Sequence, residues 1–341
     1  SSSSAASDVY KRQALYLISK LKKKTIIVVH KEFLMNQWKE RIKTFLPDAR
    51  VGTIQASTID IENKDIVICM LQSISMKEYK KDQFDSFGFT IVDECHHISS
   101  EVFSRALPKL TSTYTLGLSA TPKRQDGMTK VFLWFLGPML FKGEANKNKC
   151  IDMRVVEYKN FDTDYCKEEV TRGGQLCYPR MINNITNYER RTLLIIELVR
   201  RLINQNKKIL ILSDRRNHLK NIYELINKCS LASVGYYVGG MKQKDLDISE
   251  TKQILLGTYA MSSEGMDIPD LDALILGSPK SNIIQSVGRI LRKEHVQNPI
   301  VYDIVDQFSK FPNQYIKRRA YYRKMKYPIH IYTVNDSKNR S

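Results

Sequence analysis

The sequence has no apolar run near the ~18 residues that a membrane-spanning helix requires, and no stretch with the charged, apolar and small-residue order of a signal peptide. Its six cysteines, at 69, 95, 150, 166, 177 and 229, include no C-x-x-C pair. That spacing excludes a zinc knuckle and a disulfide framework, and favours reduced thiols. Acidic charge is also scarce: 54 Lys and Arg stand against 36 Asp and Glu, a formal net charge of +18. These features together predict a soluble, intracellular protein, with no membrane partner and no oligomer implied beyond a monomer. A cationic surplus of that size attracts polyanions, nucleic acid first and an anionic membrane surface second.

The length, 341 residues, is enough for two domains that each bury a core. Short apolar runs alternate with segments of helical period. "TIIVV" (25–29), "DIVIC" (65–69), "FTIVD" (89–93) and "TYTLGLSA" (113–120) form one series, and "KKILILS" (207–213), "QILLGT" (253–258), "LDALILG" (271–277) and "PIVYDIV" (299–305) form another. Between the first two runs, Phe33, Leu34, Trp38, Ile42 and Phe45 recur at helical spacing. Strands apolar on both faces, alternating with helices, predict parallel sheets in an α/β fold, and two series predict two such domains. The polar, glycine-bearing stretch 139–190 breaks the rhythm and reads as a connection, with a short strand at "MRVVEYK". Residues 1–13, "SSSSAASDVYKRQ", read as a non-native leader.

Functional candidates collect at strand ends. "IVDECHH" (91–97) sets Asp93 and Glu94 side by side after a buried run. Such a pair is costly unless a cation faces it, and a magnesium ion carrying a nucleotide triphosphate is the commonest solution. Standing alone, the same string reads equally as the acidic start of a helix. "GLSATP" (117–122) ends the next strand with Ser119 and Thr121; "TYAMSSEGMDIPDLD" (258–272) places Gly265 and Asp267 after a strand of the second series. "QSVGRILR" (285–292) puts Gln285, Arg289 and Arg292 on one helical side.

The order DECH, SAT, T-x(6)-G-x-D, Q-x-x-G-R-x-x-R resembles that of superfamily 2 helicases, in which two RecA-like domains share one ATP across a cleft. The resemblance runs from residue 14 to about residue 310 and is closest to DNA helicases of phages and large DNA viruses. Arg124, Gln125 and Asp126 stand where the related xeroderma pigmentosum group B helicases carry Arg-Glu-Asp; the middle residue departs from that element. The resemblance implies a first RecA-like domain over 14–138, a second over 191–310, and a basic extension over 311–341. It implies ATP and Mg2+ as cofactors, Asp93 as the metal carboxylate, and Glu94 as the residue that activates water. It implies that His96 links the nucleotide to the SAT strand, that Ser119 and Thr121 connect the domains, and that Gly265 and Asp267 approach the ribose. Arg289 and Arg292 become arginine fingers, and Gln285 couples nucleotide to nucleic acid. His97 and Cys95 read as packing residues.

The same likeness implies a protein that grips one strand of DNA, or of RNA, by its phosphates, through His30, Lys31, Gln72, Ser73, Ser213, Arg215 and Thr258. The extension carries tyrosines 315, 321 and 322 among its cations, placed either to stack on bases or to pack as an apolar face. Two parts of the machinery that the resemblance implies are missing: no G-x-x-x-x-G-K-[ST] phosphate loop occurs in the sequence, nor does the adenine-reading element that lies upstream of it. The expectation is a fragment cut just past that loop, with negligible ATP hydrolysis of its own. A clamp that has lost catalysis and a duplex translocase that does not unwind are the rival readings.

Overall fold

The computed structural model describes residues 3–80, 82–95, 100–119, 129–141, 150–264, 268, 270–290 and 297–336. The chain divides near residue 144 into two compact units.

The first unit contains strands β1 (Thr25–Val29), β2 (Val51–Gln55), β3 (Thr58–Ile59), β4 (Ile66–Met70), β5 (Phe89–Val92) and β6 (Tyr114–Gly117). Its helices are α1 (Ser3–Leu21), α2 (Glu32–Phe45), α3 (Leu71–Met76), α4 (Ser100–Ala106) and α5 (Thr129–Leu136). The strand order is β3-β2-β4-β1-β5-β6, and every pair is parallel except β2 with β3. Alternate residues of β1 and β4 feed two separate cores: Ile26, Val28, Val67 and Cys69 on one face, Ile27, Val29, Ile66 and Ile68 on the other. Burial on both faces is why these strands read as unbroken apolar runs rather than as alternation. The helical period of α2 buries Leu34, Met35, Trp38 and Ile42.

The second unit contains β7 (Asp152–Lys159), β8 (Ile209–Leu212), β9 (Val234–Tyr237), β10 (Ile254–Gly257), β11 (Ala273–Leu276), β12 (Ile300–Asp306) and β13 (Ile329–Asn335). Its helices are α6 (Thr163–Cys166), α7 (Tyr178–Asn187), α8 (Glu189–Ile203), α9 (Arg216–Lys228), α10 (Gln243–Glu250), α11 (Tyr259–Glu264), α12 (Ile284–Ile290) and α13 (Phe311–Lys324). The order is β13-β7-β12-β11-β8-β10-β9, parallel throughout.

Three segments outside the two strand series build into the units. The stretch from 152 to 187 joins the second unit, with β7, which covers the strand expected at "MRVVEYK", seated between β12 and β13, and with helices α6 and α7 after it. The basic extension does the same: α13 buries Tyr315 and Tyr322, and β13 closes the sheet edge, which favours packing over base stacking for those two rings. Residues read as a leader carry the first half of α1, and Lys11 within them is buried.

Candidate functional site

All strands of a parallel ladder point one way, so the loops at their carboxyl ends share one edge of the sheet, where ligands bind in open α/β sheets. In the first unit that edge collects His30 and Lys31 after β1, Gln72 and Ser73 after β4, Asp93 and Glu94 after β5, and Ser119 after β6. Gln72 donates from Nε2 to the His30 carbonyl at 3.1 Å, tying two of these loops together.

Asp93 is 3% exposed, and among the described residues three groups face its carboxylate. The Trp38 indole N–H donates to Oδ2 at 2.9 Å, the Glu94 amide donates to Oδ1 at 3.0 Å, and the Lys11 ammonium lies 3.7 Å from Oδ2. Lys11 in turn donates to Gln37 Oε1 at 2.8 Å and lies 5.9 Å from the centre of the Trp38 ring. The cation that a buried carboxylate needs is therefore a lysine, aided by an indole from α2. The sequence reading missed both. Trp38 registered there only as an apolar residue of helical period, and Lys11 lay in a stretch set aside as foreign.

Glu94 occupies the left-handed region at φ 48°, unusual for a residue with a Cβ. Conformations of this kind cost of order 1–3 kcal/mol and concentrate at functional sites. The turn is pinned from the neighbouring strand: the Cys95 amide donates to the Leu118 carbonyl at 3.1 Å, and the Leu118 amide to the Val92 carbonyl at 2.9 Å. Cys95 is buried below Gly117, where an added Cβ would lie 2.7 Å from Leu136 Cδ1 and 3.4 Å from Cys95 Sγ. The carboxylate turn and the start of the SAT string are thus locked side by side, and Cys95 is a packing residue.

A cavity of about 520 Å³ opens beside β6, lined by Leu17, Leu116, Leu133, Leu136 and Phe141 among others. Its lining holds no charged side chain among the described residues. Among the described residues no cluster of three or more His, Cys, Asp or Glu side chains could hold a metal. One carboxylate with a neighbour fits magnesium, which keeps most of its waters and takes its other ligands from phosphates.

The second unit repeats the arrangement at its own carboxyl edge. Ser213 and Arg215 follow β8, Thr258 follows β10, and α12 follows β11. Ser213 is fully buried; its hydroxyl accepts from the Arg215 amide at 3.1 Å and lies 3.0 Å from His218 Nδ1. Burial, then the positive charge of Arg191, pulls the His218 pKa down to about 3, so that imidazole is neutral. The Arg215 guanidinium donates to Asn183 Oδ1 at 2.5 Å and to the Pro179 carbonyl at 2.9 Å. In the first unit, Ser73 is likewise buried, its hydroxyl accepting from the Ala56 amide at 3.2 Å. Partial burial lowers the pKa of Lys31.

Gln285 and Arg289 fall on α12, and nothing beyond their place on that helix is described. His96, Thr121, Arg124, Gln125, Asp126, Gly265, Asp267 and Arg292 lie outside the described residues. Among the described residues, no helix is long and apolar enough to cross a membrane.

The family described as type III restriction enzyme, res subunit, matches residues 10–124, and the helicase conserved C-terminal domain matches residues 192–294. The chain is 39% identical over 330 residues to the mimivirus protein named "Putative ATP-dependent RNA helicase L396" (Acanthamoeba polyphaga mimivirus), a match covering 95% of this chain and 63% of that protein. It is 29% identical over 333 residues to "Putative helicase 161L" of Invertebrate iridescent virus 6, covering 91% of this chain and 73% of the relative. The chain thus spans less than two thirds of the mimivirus protein's length. Among solved structures, S. cerevisiae Dbp5 bound to RNA and ADP BeF3 aligns with a TM-score of 0.59 at 12% identity, over 92% of this chain and 78% of that one, a likeness of fold. The two family matches, the viral relatives and the two parallel sheets agree: the chain belongs to the superfamily 2 helicases, with two RecA-like domains.

Proposed function

We propose that this chain is the motor portion of an ATP-dependent helicase or translocase that moves on DNA. The observation that carries the reading is the convergence of Asp93, Glu94 and Ser119 with His30 and Gln72 at one sheet edge, the carboxylate turn locked to the SAT strand by paired backbone hydrogen bonds.

In this reading Asp93 would hold Mg2+, which would supply charge neutralisation for the nucleotide's phosphates. Glu94, held by its left-handed backbone, orients or deprotonates the attacking water. His96 relays nucleotide state to Ser119 and Thr121. From the second domain, Gly265 and Asp267 approach the ribose. Arg289 and Arg292 stabilise charge spreading over the γ-phosphoryl group, and Gln285 couples that event to the bound strand. Strand contacts are backbone contacts at the phosphates, and His30, Lys31, Gln72, Ser73, Ser213, Arg215 and Thr258, at the loops and helix starts of the two carboxyl edges, are the residues that reach them.

The sequence holds no phosphate loop, so we propose that the chain as it stands hydrolyses ATP negligibly and that a protein carrying the loop ahead of Ala14 restores turnover. The test measures ATP hydrolysis by both forms with single-stranded DNA and with RNA of equal length. Stimulation by DNA in the loop-bearing protein alone is the expected outcome. Turnover by the 341-residue chain itself, or none by either form, overturns the proposal. A second reading takes RNA as the track, favoured by the printed name of the mimivirus relative; stimulation by RNA only would establish it.

A further inference from the structure

The loop that leaves β11 and enters α12 is held from both faces of the second sheet by buried guanidinium groups. Side chains alternate along β12, so Asp303 shares a face with Val301 and Val305, and Asp306 shares the other with Ile300 and Ile304. On the first face Arg318 of α13, 4% exposed, donates from Nε to Asp303 Oδ2 at 2.9 Å and pairs by charge with Oδ1, 2.8 Å from Nη2. Its third nitrogen, Nη1, donates to the Lys280 carbonyl at 2.6 Å. On the opposite face Arg191 of α8, fully buried, does the same. Nε and Nη2 bridge Asp306 at 2.6 and 3.0 Å, and Nη1 donates to the Gly277 carbonyl at 2.6 Å.

The residues between those carbonyls are held as well. The Tyr259 hydroxyl donates to the Ser278 carbonyl at 2.8 Å, and Ser278 Oγ accepts from the Asp214 amide at 2.9 Å. The Lys280 ammonium bridges the Asp214 carboxylate at 2.9 Å. At the start of the loop the Gly277 amide donates to the Leu212 carbonyl at 2.8 Å, and an added Cβ would lie 2.9 Å from that same oxygen, so the close approach requires glycine.

Stability alone is a weak reason for such pairs, because well-packed apolar groups of similar volume often serve a core as well as a buried ion pair does. A planar guanidinium adds direction: two donors spent on a carboxylate aim the third. Here both third donors aim at one seven-residue loop, 277–283. We propose that Arg191 and Arg318 are positioning residues that fix this loop and thereby set the register in which α12 presents Gln285 and Arg289. The catalytic consequence rests on the role proposed above for α12. The clamp itself does not.

The test uses hydrogen exchange on the 341-residue chain, comparing Arg318→Lys with Tyr322→Phe. Lysine keeps a charge for Asp303 but cannot reach Lys280 in the same geometry. Tyr322→Phe removes another hydrogen bond to Asp303 (2.8 Å) and leaves the clamp whole, so it controls for general loosening. The expected result is exchange over 277–290 faster by on the order of tenfold in Arg318→Lys than in Tyr322→Phe, with other segments of the unit equal between the two. Equal protection of 277–290 in both variants overturns the clamp. In the loop-bearing protein, Arg318→Lys should lower kcat by roughly tenfold to a hundredfold with KM for ATP little changed, while Tyr322→Phe leaves both near the parent values. A fall in KM and kcat alike in both variants would reduce Arg318 to a general structural role. If the parent shows no turnover while 277–290 loosens as stated, the motor reading fails and the clamp stands.

Discussion

The two domains bury carboxylates at comparable depth but hold them differently. Asp93 faces an ammonium at 3.7 Å and two single N–H donors, whereas Asp303 and Asp306 each receive a two-point guanidinium bridge at 2.6 to 3.0 Å. Asp93 lies at a sheet edge, whereas Asp303 and Asp306 lie inside the sheet, each paired with a guanidinium that also holds the loop 277–283. The difference separates the proposed site from a scaffold, though both would be recorded simply as buried acids.

That contrast can be broken by mutation. The largest effect belongs to the proposed finger: Arg292→Ala in the loop-bearing protein should lower turnover by ~10³-fold or more, and a loss under tenfold would demote the residue to packing. Next, Arg191→Met leaves Asp306 buried without its cation and should lower unfolding free energy by ~3–5 kcal/mol in urea titration. Lys11→Met should cost less, about 1–3 kcal/mol, since Asp93 keeps the Trp38 and Glu94 donors; a cost equal to that of Arg191→Met would erase the distinction.

The pH dependence follows from His218, whose folded pKa is depressed to about 3 from an ordinary value of 6.5. Between those values the unfolded chain binds the proton and the folded one does not. Stability is therefore full above about pH 6.5 and is lost progressively as pH falls toward 3. His218→Phe should flatten that slope in unfolding titrations, and an unchanged slope would contradict the assignment. The smallest effect is expected from Trp38→Phe, which removes one N–H donor while keeping most of the ring's packing and the Lys11 and Glu94 partners of Asp93, for a loss of about 0.5–1.5 kcal/mol.

Much of this was legible in the sequence, for a physical reason. Parallel strands buried on both faces leave unbroken apolar runs, and all eight runs correspond to strands. What escaped lies where burial is partial or charged. Strand β2 alternates, β3 is two exposed residues beyond the left-handed Ala56, and β13 is an exposed edge, so none stands out by hydrophobicity. Within "VYDIVD" nothing in local pattern marks the two aspartates as internal anchors, because their arginines lie on helices 15 and 115 residues away. The basic residues of 311–326 read as one charged tract, yet Arg318 is buried among them and faces the sheet. Of the site, the strings at strand ends announced Asp93, Glu94 and Ser119. Nothing in local pattern announced Lys11 and Trp38, because a helix partner that reaches a carboxylate 55 or more residues away leaves no short-range signal.

The central claim is that the carboxylate turn after β5 is the hydrolytic centre of a nucleic-acid motor. Its most direct test is nucleic-acid-stimulated ATP hydrolysis by the protein bearing a phosphate loop, measured beside its Glu94→Gln variant, with nucleotide binding followed in both. The account predicts that Glu94→Gln binds ATP about as well as the parent and loses nearly all stimulated turnover. Turnover that survives in Glu94→Gln at near-parent rates would contradict it.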